Sequence, residues 1–499
     1  MQSDRVIVVG AGPVGLTAAL ALARRNIPTV VLAAEPELVM ELRGSTFHPP
    51  TLDMLDEFAV VPAMIESGLK APTWQFRDRE TGPVATFDLS LLAGETNHPY
   101  RVQCEQWKLM RLLRDAYLKI PGAEIKFDHT VTAVAPGDDS VAVTADTSAG
   151  PVTIDGRYVV AADGARSAVR RSLGIEFTGF TYPELFLIAS TGFRFEDTLT
   201  DIAYVNYIAD PNEWLVLLRV PGLWRVLVPA PENSDREQLL SDENLQQVLQ
   251  RVVPRDADYA IEHRSIYHVH QRVAKSFRTG RVLLAGDAAH INNPLGGMGM
   301  NGGIHDAFNL SDKLAEIYAG ADDRLLDRYE RQRRAVAVDA VQQQTNRNHQ
   351  ILSERDPATR RKSLDAMRQT AADPALARDL LLKCVRAFGA AEERDRRHAH
   401  HEIVGRTGHH AAHRVERIVG YDGCARHEAF VAHRLRVGRV DAAVVIGDAR
   451  RAHHVEIGLH DRVGRRPHHA ELLAPPQYVS HRALTEFPPR GAGRRSSRT

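Results

Sequence analysis

Four short apolar runs set the pattern of the chain: Val6-Ile-Val-Val9, Thr29-Val-Val-Leu32, Tyr158-Val-Val-Ala-Ala162 and Val282-Leu-Leu-Ala285. Each is continuous rather than alternating, as expected of strands buried on both faces. Helical patterns follow two of them, Leu16 to Arg25 and Ile304 to Ala315. Between these lies a different texture. Glu213-Trp-Leu-Val-Leu-Leu-Arg-Val220 and Leu223-Trp-Arg-Val-Leu-Val228 flank Pro221-Gly222, which predicts a hairpin. Residues 304–350 and 357–383 carry helical patterning, and the charge run Asp327 to Arg334 predicts a solvated helix face.

The turns after the apolar runs carry the chemistry. Gly10, Gly12 and Gly15 follow the first strand in GxGxxG spacing, with Ala11 between the first two. In a strand–turn–helix unit this spacing makes a tight turn, lets a pyrophosphate approach the backbone and lets the helix pack closely. Asp163-Gly164 ends the third run, and Gly286-Asp287 ends the fourth. Pro294 and a run of glycines then open into a helix, so free amides near Gly299, Met300 and Asn301 would favour an electron-rich ligand group. Asp287 asks for a hydroxyl, and a flavin nucleotide offers both groups. One element departs from the dinucleotide pattern: Ala33, not an acid, follows the second strand, and Glu35 is the candidate substitute for the ribose contact. Losing a hydrogen bond to a charged group costs about 1.5–3 kcal/mol, which weakens such binding without abolishing it.

The predicted fold is α/β: a GxGxxG Rossmann-like dinucleotide-binding domain interleaved with a mostly antiparallel sheet, and a helical C-terminal part. Residues 1–70, 101–176 and 272–350 are assigned to the first domain, 71–100 and 177–271 to the substrate domain, and 351–390 to C-terminal helices.

The three turn motifs together resemble the single-component (class A) FAD-dependent aromatic hydroxylases, of the p-hydroxybenzoate hydroxylase and phenol hydroxylase type. His48-Pro-Pro-Thr-Leu-Asp-Met-Leu-Asp56 and His98-Pro-Tyr100 are nearest to nitrophenol-type monooxygenases. The resemblance implies that Gly10, Gly12 and Gly15 hold the FAD pyrophosphate, with Arg43 and Gln106 along the cofactor. It gives Asp163 to FAD and the nicotinamide nucleotide, and Asp287 to the ribityl or ribose portion. Pro294, Gly299, Met300 and Asn301 would border the ring. The implied activity is NADH- or NADPH-dependent hydroxylation of a small phenolic or heteroaromatic ring, with O2 activated as a flavin C4a-hydroperoxide. His48 is the first candidate for the catalytic base, with a structural role at the Pro49-Pro50 turn as its alternative. His268 and His270 share one strand face, and Tyr182, Tyr207 and Arg225 are placed near substrate by location. A flavin reductase or dehydrogenase without oxygen insertion, and a non-catalytic FAD-binding protein, are the rival readings.

Bulk composition narrows the partners. Across 499 residues, 63 Lys plus Arg balance 63 Asp plus Glu, so no nucleic-acid or anionic-membrane surface is indicated. Three scattered cysteines form no disulfide framework, and no metal site is expected. A cytoplasmic protein is expected, with a homodimer among the possible states.

The tail, residues 391–499, is anomalous: no lysine follows Lys383, and 14 of the 23 histidines lie from His398 onward. Disorder or a reading-frame error in a GC-rich gene is the expectation for it. A metal site using Cys424, His427 and His433 is the competing idea, and its spacing is irregular. Tryptic peptides covering Val404 to Arg439, found by mass spectrometry in protein from the native host, would refute the frame error; their absence beside good coverage of the core is the expected result.

Overall fold

The computed structural model describes residues 4–389 and, further on, the strands Val415–Gly420, Phe430–Val437, Val440–Ile446 and Val455–His460. The chain divides into two units, Met1–Arg396 and Arg397–Thr499. In the second unit the four strands pair consecutively as an antiparallel sheet. Cys424 and His427 lie outside the described residues, and the origin of the tail stays a proposal.

In the first unit the apolar runs pair side by side. The six-stranded sheet has the order Arg278–Thr279, Val282–Leu284, Tyr158–Ala161, Val6–Val9, Thr29–Leu32, Glu124–Lys126. Its strands are parallel except at the Arg278–Thr279 edge. Val6–Val9, Thr29–Leu32 and Tyr158–Ala161 are buried at every position, which is why they read as unbroken apolar sequence. Helix Pro13–Ala23 is buried from Val14 through Ala23 and packs between Met298–Tyr318 and Gln106–Tyr117. Side chains that are apolar nearly all round suit a helix enclosed on every side.

The interrupting segments build an eight-stranded sheet, ordered His290–Ile291, Ile261–Ala274, Phe177–Thr191, Leu223–Pro231, Leu215–Val220, Val205–Ala209, Thr73–Asp78, Gly82–Asp88. It is antiparallel except where Val205–Ala209 runs parallel to Thr73–Asp78. The hairpin at Pro221-Gly222 closes with Val220 opposite Leu223.

The helical region divides more finely than its periodicity suggests. Residues 304–350 belong to Met298–Tyr318, Leu325–Ala335, a π-helical stretch Val336–Gln342, and Gln343–Ser353. The pattern over 357–383 is two helices, Pro357–Ala372 and Pro374–Arg386. Asp373 causes the break: its carboxylate accepts from the amides of Ala375 (2.8 Å) and Leu376 (3.2 Å), while Pro374 starts the second helix without needing an N–H partner.

The charge run is a correction. Arg333 is only 1 % exposed, not part of a solvated face, because it pairs with a carboxylate on the neighbouring helix. That carboxylate is Asp306, fully buried on Met298–Tyr318. One of its oxygens accepts from Arg333 Nε at 2.6 Å. The other accepts from the Gly286 amide at 3.0 Å and from His290 Nε2 at 2.8 Å. Arg333 continues outward, with Nη1 donating to the Phe388 carbonyl at 2.6 Å and Nη2 to the Gly302 carbonyl at 3.3 Å. Burial by itself would raise the Asp306 carboxyl, but His290 and Arg333 overcome it and hold it at about 2. Its folded value lies below the ordinary 3.8, so the stabilisation it gives is present above pH about 4 and lost as pH falls toward 2. Asp306→Asn removes the carboxylate charge that Arg333 and His290 share. It is expected to cost about 3 kcal/mol or more in urea unfolding at neutral pH, with the deficit shrinking in acid; a loss under about 1 kcal/mol would contradict the network's role.

Candidate active site

Three turns meet at the carboxyl ends of the parallel strands. Gly10 has φ +104°, and a Cβ there would lie 2.4 Å from the Ala162 carbonyl oxygen and 3.1 Å from Asp163 Cα, so the first turn rests directly on the Asp163-Gly164 turn. A Cβ on Gly15 would meet the Gly10 carbonyl oxygen at 1.9 Å, which fixes the helix start against the strand end. Val14 is wedged between the other two partners: Cβ atoms built on Gly286 and Gly303 would approach its Cγ2 to 2.9 and 2.6 Å.

Gly12 is different. A Cβ there would meet nothing within 4 Å, so internal packing gives no reason for glycine at this position. The helix it precedes has no side-chain cap and no acid in its first turn, so its amides face outward with their partial positive charge uncompensated. This is a cradle for an anionic group. Ala11 beside it is buried.

Two carboxylates rim the cradle. Asp163 accepts from the Val169 amide at 3.2 Å through Oδ2, while its buried Oδ1 has no hydrogen-bond partner among the described residues; burial pushes its carboxyl up. Asp287 is open to solvent yet crowded by protein, as at the floor of a crevice. That crowding raises its carboxyl against the opposing pull of His290 and Arg43. Both are placed to accept hydrogen bonds from ligand hydroxyls. Glu35 is exposed, beyond buried Ala33, with no side-chain hydrogen bond among the described residues.

The second half of the cradle gathers around Gly44. A Cβ built there would lie 3.2 Å from both Gln106 Oε1 and Met300 Sδ, and the exposed side chain of its neighbour Arg43 donates to Glu41 at 2.6 Å. The eight-stranded sheet holds this loop: Arg225 donates to the carbonyls of Arg43 (2.6 Å) and Leu42 (2.8 Å). Arg225 thus holds the loop. Helix Met298–Tyr318 starts uncapped after Gly297, directing the amides near Gly299 and Met300 outward, while Pro294 accepts from the Gly297 amide at 3.0 Å. Asn301 is fully buried, and its side chain clamps Thr46 O (2.8 Å), Gly297 O (2.7 Å) and the His48 amide (3.0 Å).

His48 lies beside this loop, its Nε2 donating to the Gly296 carbonyl at 2.8 Å. Burial, then Arg101, holds its imidazole well below the ordinary value, so it is neutral. A neutral ring committed to a carbonyl positions the loop. Other candidates fall away from the reacting space: Tyr182 bonds Gln271, Asn293 and Asn346, His268 meets Arg236, and His270 meets Thr181.

A small chamber opens against the loop, lined by His48, Gly296 and Met298 on one side and by Trp74, Phe76, Arg101 and Tyr207 on another. Of the sequence candidates only His48 and Tyr207 reach it. Arg101 was not singled out, although it directly follows His98-Pro-Tyr100. A charged residue inside the buried strand Arg101–Gln103 was the available signal.

The FAD binding domain family matches residues 4–344. The chain belongs to that family. The para-nitrophenol 4-monooxygenase of Pseudomonas sp. (strain WBC-3) is 34 % identical over 385 residues, covering 76 % of this chain and 94 % of that protein. The crystal structure of p-nitrophenol 4-monooxygenase PnpA from Pseudomonas putida DLL-E4 superposes with TM-score 0.73 at 32 % identity, covering 77 % of this chain and 99 % of that one. OxyS anhydrotetracycline hydroxylase from Streptomyces rimosus superposes with TM-score 0.64 at 30 % identity, covering 77 % and 76 %. The protein is therefore an FAD-dependent aromatic monooxygenase, using O2. The open cradle at Gly12 and the unpartnered Asp163 oxygen fit the pyrophosphate and hydroxyls of FAD.

Gly12→Ala and Gly15→Ala separate the two uses of glycine. Gly15→Ala forces a backbone clash and is expected to destabilise by about 3 kcal/mol. Gly12→Ala should leave urea stability within about 1 kcal/mol and weaken FAD binding at least about tenfold, read by flavin fluorescence titration. Equal effects of the two on stability would refute the distinction.

Proposed function

We propose that the enzyme hydroxylates a small phenol bound as its phenolate, with NADH or NADPH as reductant. The carrying observation is Arg101. It is 6 % exposed, and its Nε and Nη1 have no partner among the described residues. The lining contains no carboxylate and no lysine. A buried guanidinium without an anion is costly. The Trp74 ring, 5.4 Å away, meets only part of the need. An anionic ring oxygen would complete it.

FAD held at Gly12, Asp163 and Asp287 would supply electron transfer from the nicotinamide and activation of dioxygen. The residues perform the rest. Arg101 favours the deprotonated ring and so makes it electron-rich where oxygen must attach. Tyr207, whose hydroxyl burial raises and Arg101 lowers, stays protonated and can donate to the same oxygen. His48 and Asn301 fix the loop against which the cofactor ring would lie, and the apolar lining excludes water. The names of the similar proteins agree with this chemistry. Para-nitrophenol and the 6-hydroxy-3-succinoylpyridine of a 32 % identical Pseudomonas putida monooxygenase both present an acidic ring hydroxyl. A reducing compartment, the cytoplasm, suits the free thiols of Cys104 and Cys384.

Arg101→Met tests the reading. It is expected to raise KM for 4-nitrophenol about 100-fold while FAD content is unchanged. A change below about threefold would remove the phenolate proposal.

A further inference from the structure

The chamber's third wall comes from the helices after residue 343. Gln343–Ser353 contributes Gln344, Asn348, Ile351 and Leu352; Pro357–Ala372 contributes Met367; Pro374–Arg386 contributes Cys384. These helices form a cap whose inner face joins Trp74, Phe76 and Tyr207 in one apolar cluster. The cap is fastened at several points. His349 pairs with Glu184 at 2.9 Å, Arg360 with Asp78, and both Arg378 and Arg386 with Glu95. Asn346 bonds Tyr182, and Asn348 donates to the Leu295 carbonyl at 3.1 Å, tying the cap to the flavin loop as well.

A wall held on so many sides sets the size of the space. The enclosed volume is about 50 Å³. A cavity that takes up one benzene ring measures about 150 Å³, so the chamber is already tight for a single ring and has no space for a second. The anhydrotetracycline hydroxylase, whose substrate is four-ringed by name, shares the fold at 30 % identity, so the fold itself imposes no such limit. The restriction belongs to this chain's lining. Leu352 is fully enclosed, and Met367 is an unbranched side chain on the facing helix.

We propose that the C-terminal cap, through Leu352 and Met367, is the ring-size filter of this enzyme and confines it to single-ring phenolates. The inference rests on the phenolate reading above. Shortening either side chain widens the chamber without touching Arg101 or the flavin cradle. A missing methylene changes discrimination by roughly 10–200-fold, so removal of a whole side chain is measurable.

The test is equilibrium binding of 4-nitrophenol and 2-naphthol to FAD-loaded full-length protein, for wild type, Met367→Ala and Leu352→Ala. Leu376→Ala, exposed on the outside of the same cap, is the control. Wild type is expected to favour the single ring at least about tenfold, and at least one chamber variant to reduce that ratio about tenfold, with the control unchanged. Equal wild-type affinity for both rings would overturn the filter, as would an unchanged ratio in both FAD-loaded chamber variants. Wild-type binding of neither ring would overturn the filter together with the phenolate reading. Tight 4-nitrophenol binding with no oxygenated product would sink the hydroxylation reading alone and leave the filter standing.

Discussion

The site depends on one buried carboxylate. Asp306 accepts three hydrogen bonds, from Gly286, His290 and Arg333, and so joins the end of a parallel strand to two helices. Charge-assisted bonds of this kind are about twice as strong as neutral ones. The larger effect is geometric. With the Gly286 amide fixed to helix Met298–Tyr318, Val14 fits between Gly286 and Gly303, and the first glycine turn is seated against the fourth strand end. Asp287 then emerges into the crevice because its neighbour is held. Through Arg333 the same carboxylate reaches the carbonyl of Phe388, so the fold of the cradle extends almost to the end of the described catalytic unit.

Arg101 poses the opposite case. Asp306 has every oxygen satisfied and serves stability; Arg101 leaves two buried nitrogens without partners among the described residues. A protein retains such a cost where a ligand removes it, and the rest of the chamber lining around Arg101 carries no carboxylate. Stability and function are thus divided between two buried charges. The cap completes the arrangement by keeping water from the cation and by limiting what can reach it.

The cofactor half was legible because its constraints are local. Gly10 and Gly15 are demanded by backbone atoms within a few residues or on the adjacent strand, and Gly12 by an absence of side chain that spacing reveals. The apolar runs announced parallel strands because both sheet faces are covered. The substrate half was less legible. Arg225 and Tyr207 sit on the same sheet with similar sequence surroundings, yet one pins the Arg43 loop and the other lines the chamber; strand alternation cannot distinguish them. Arg333 looked solvated because its partner lies 27 residues earlier on another helix. The cap residues carry no motif at all, only helical periodicity, and their function arises from where the ion pairs at Glu95, Asp78 and Glu184 place them. His48 is the sequence's candidate base; its hydrogen bond to Gly296 is a long-range contact that no local pattern announces.

The most direct measurement is the fate of dioxygen. Purified enzyme supplied with FAD, a reduced nicotinamide and 4-nitrophenol under isotopically labelled O2 should release a ring product carrying one labelled oxygen atom, as nicotinamide oxidation accelerates with the phenol. Product oxygen drawn from water, or nicotinamide oxidation indifferent to the phenol, would contradict the account.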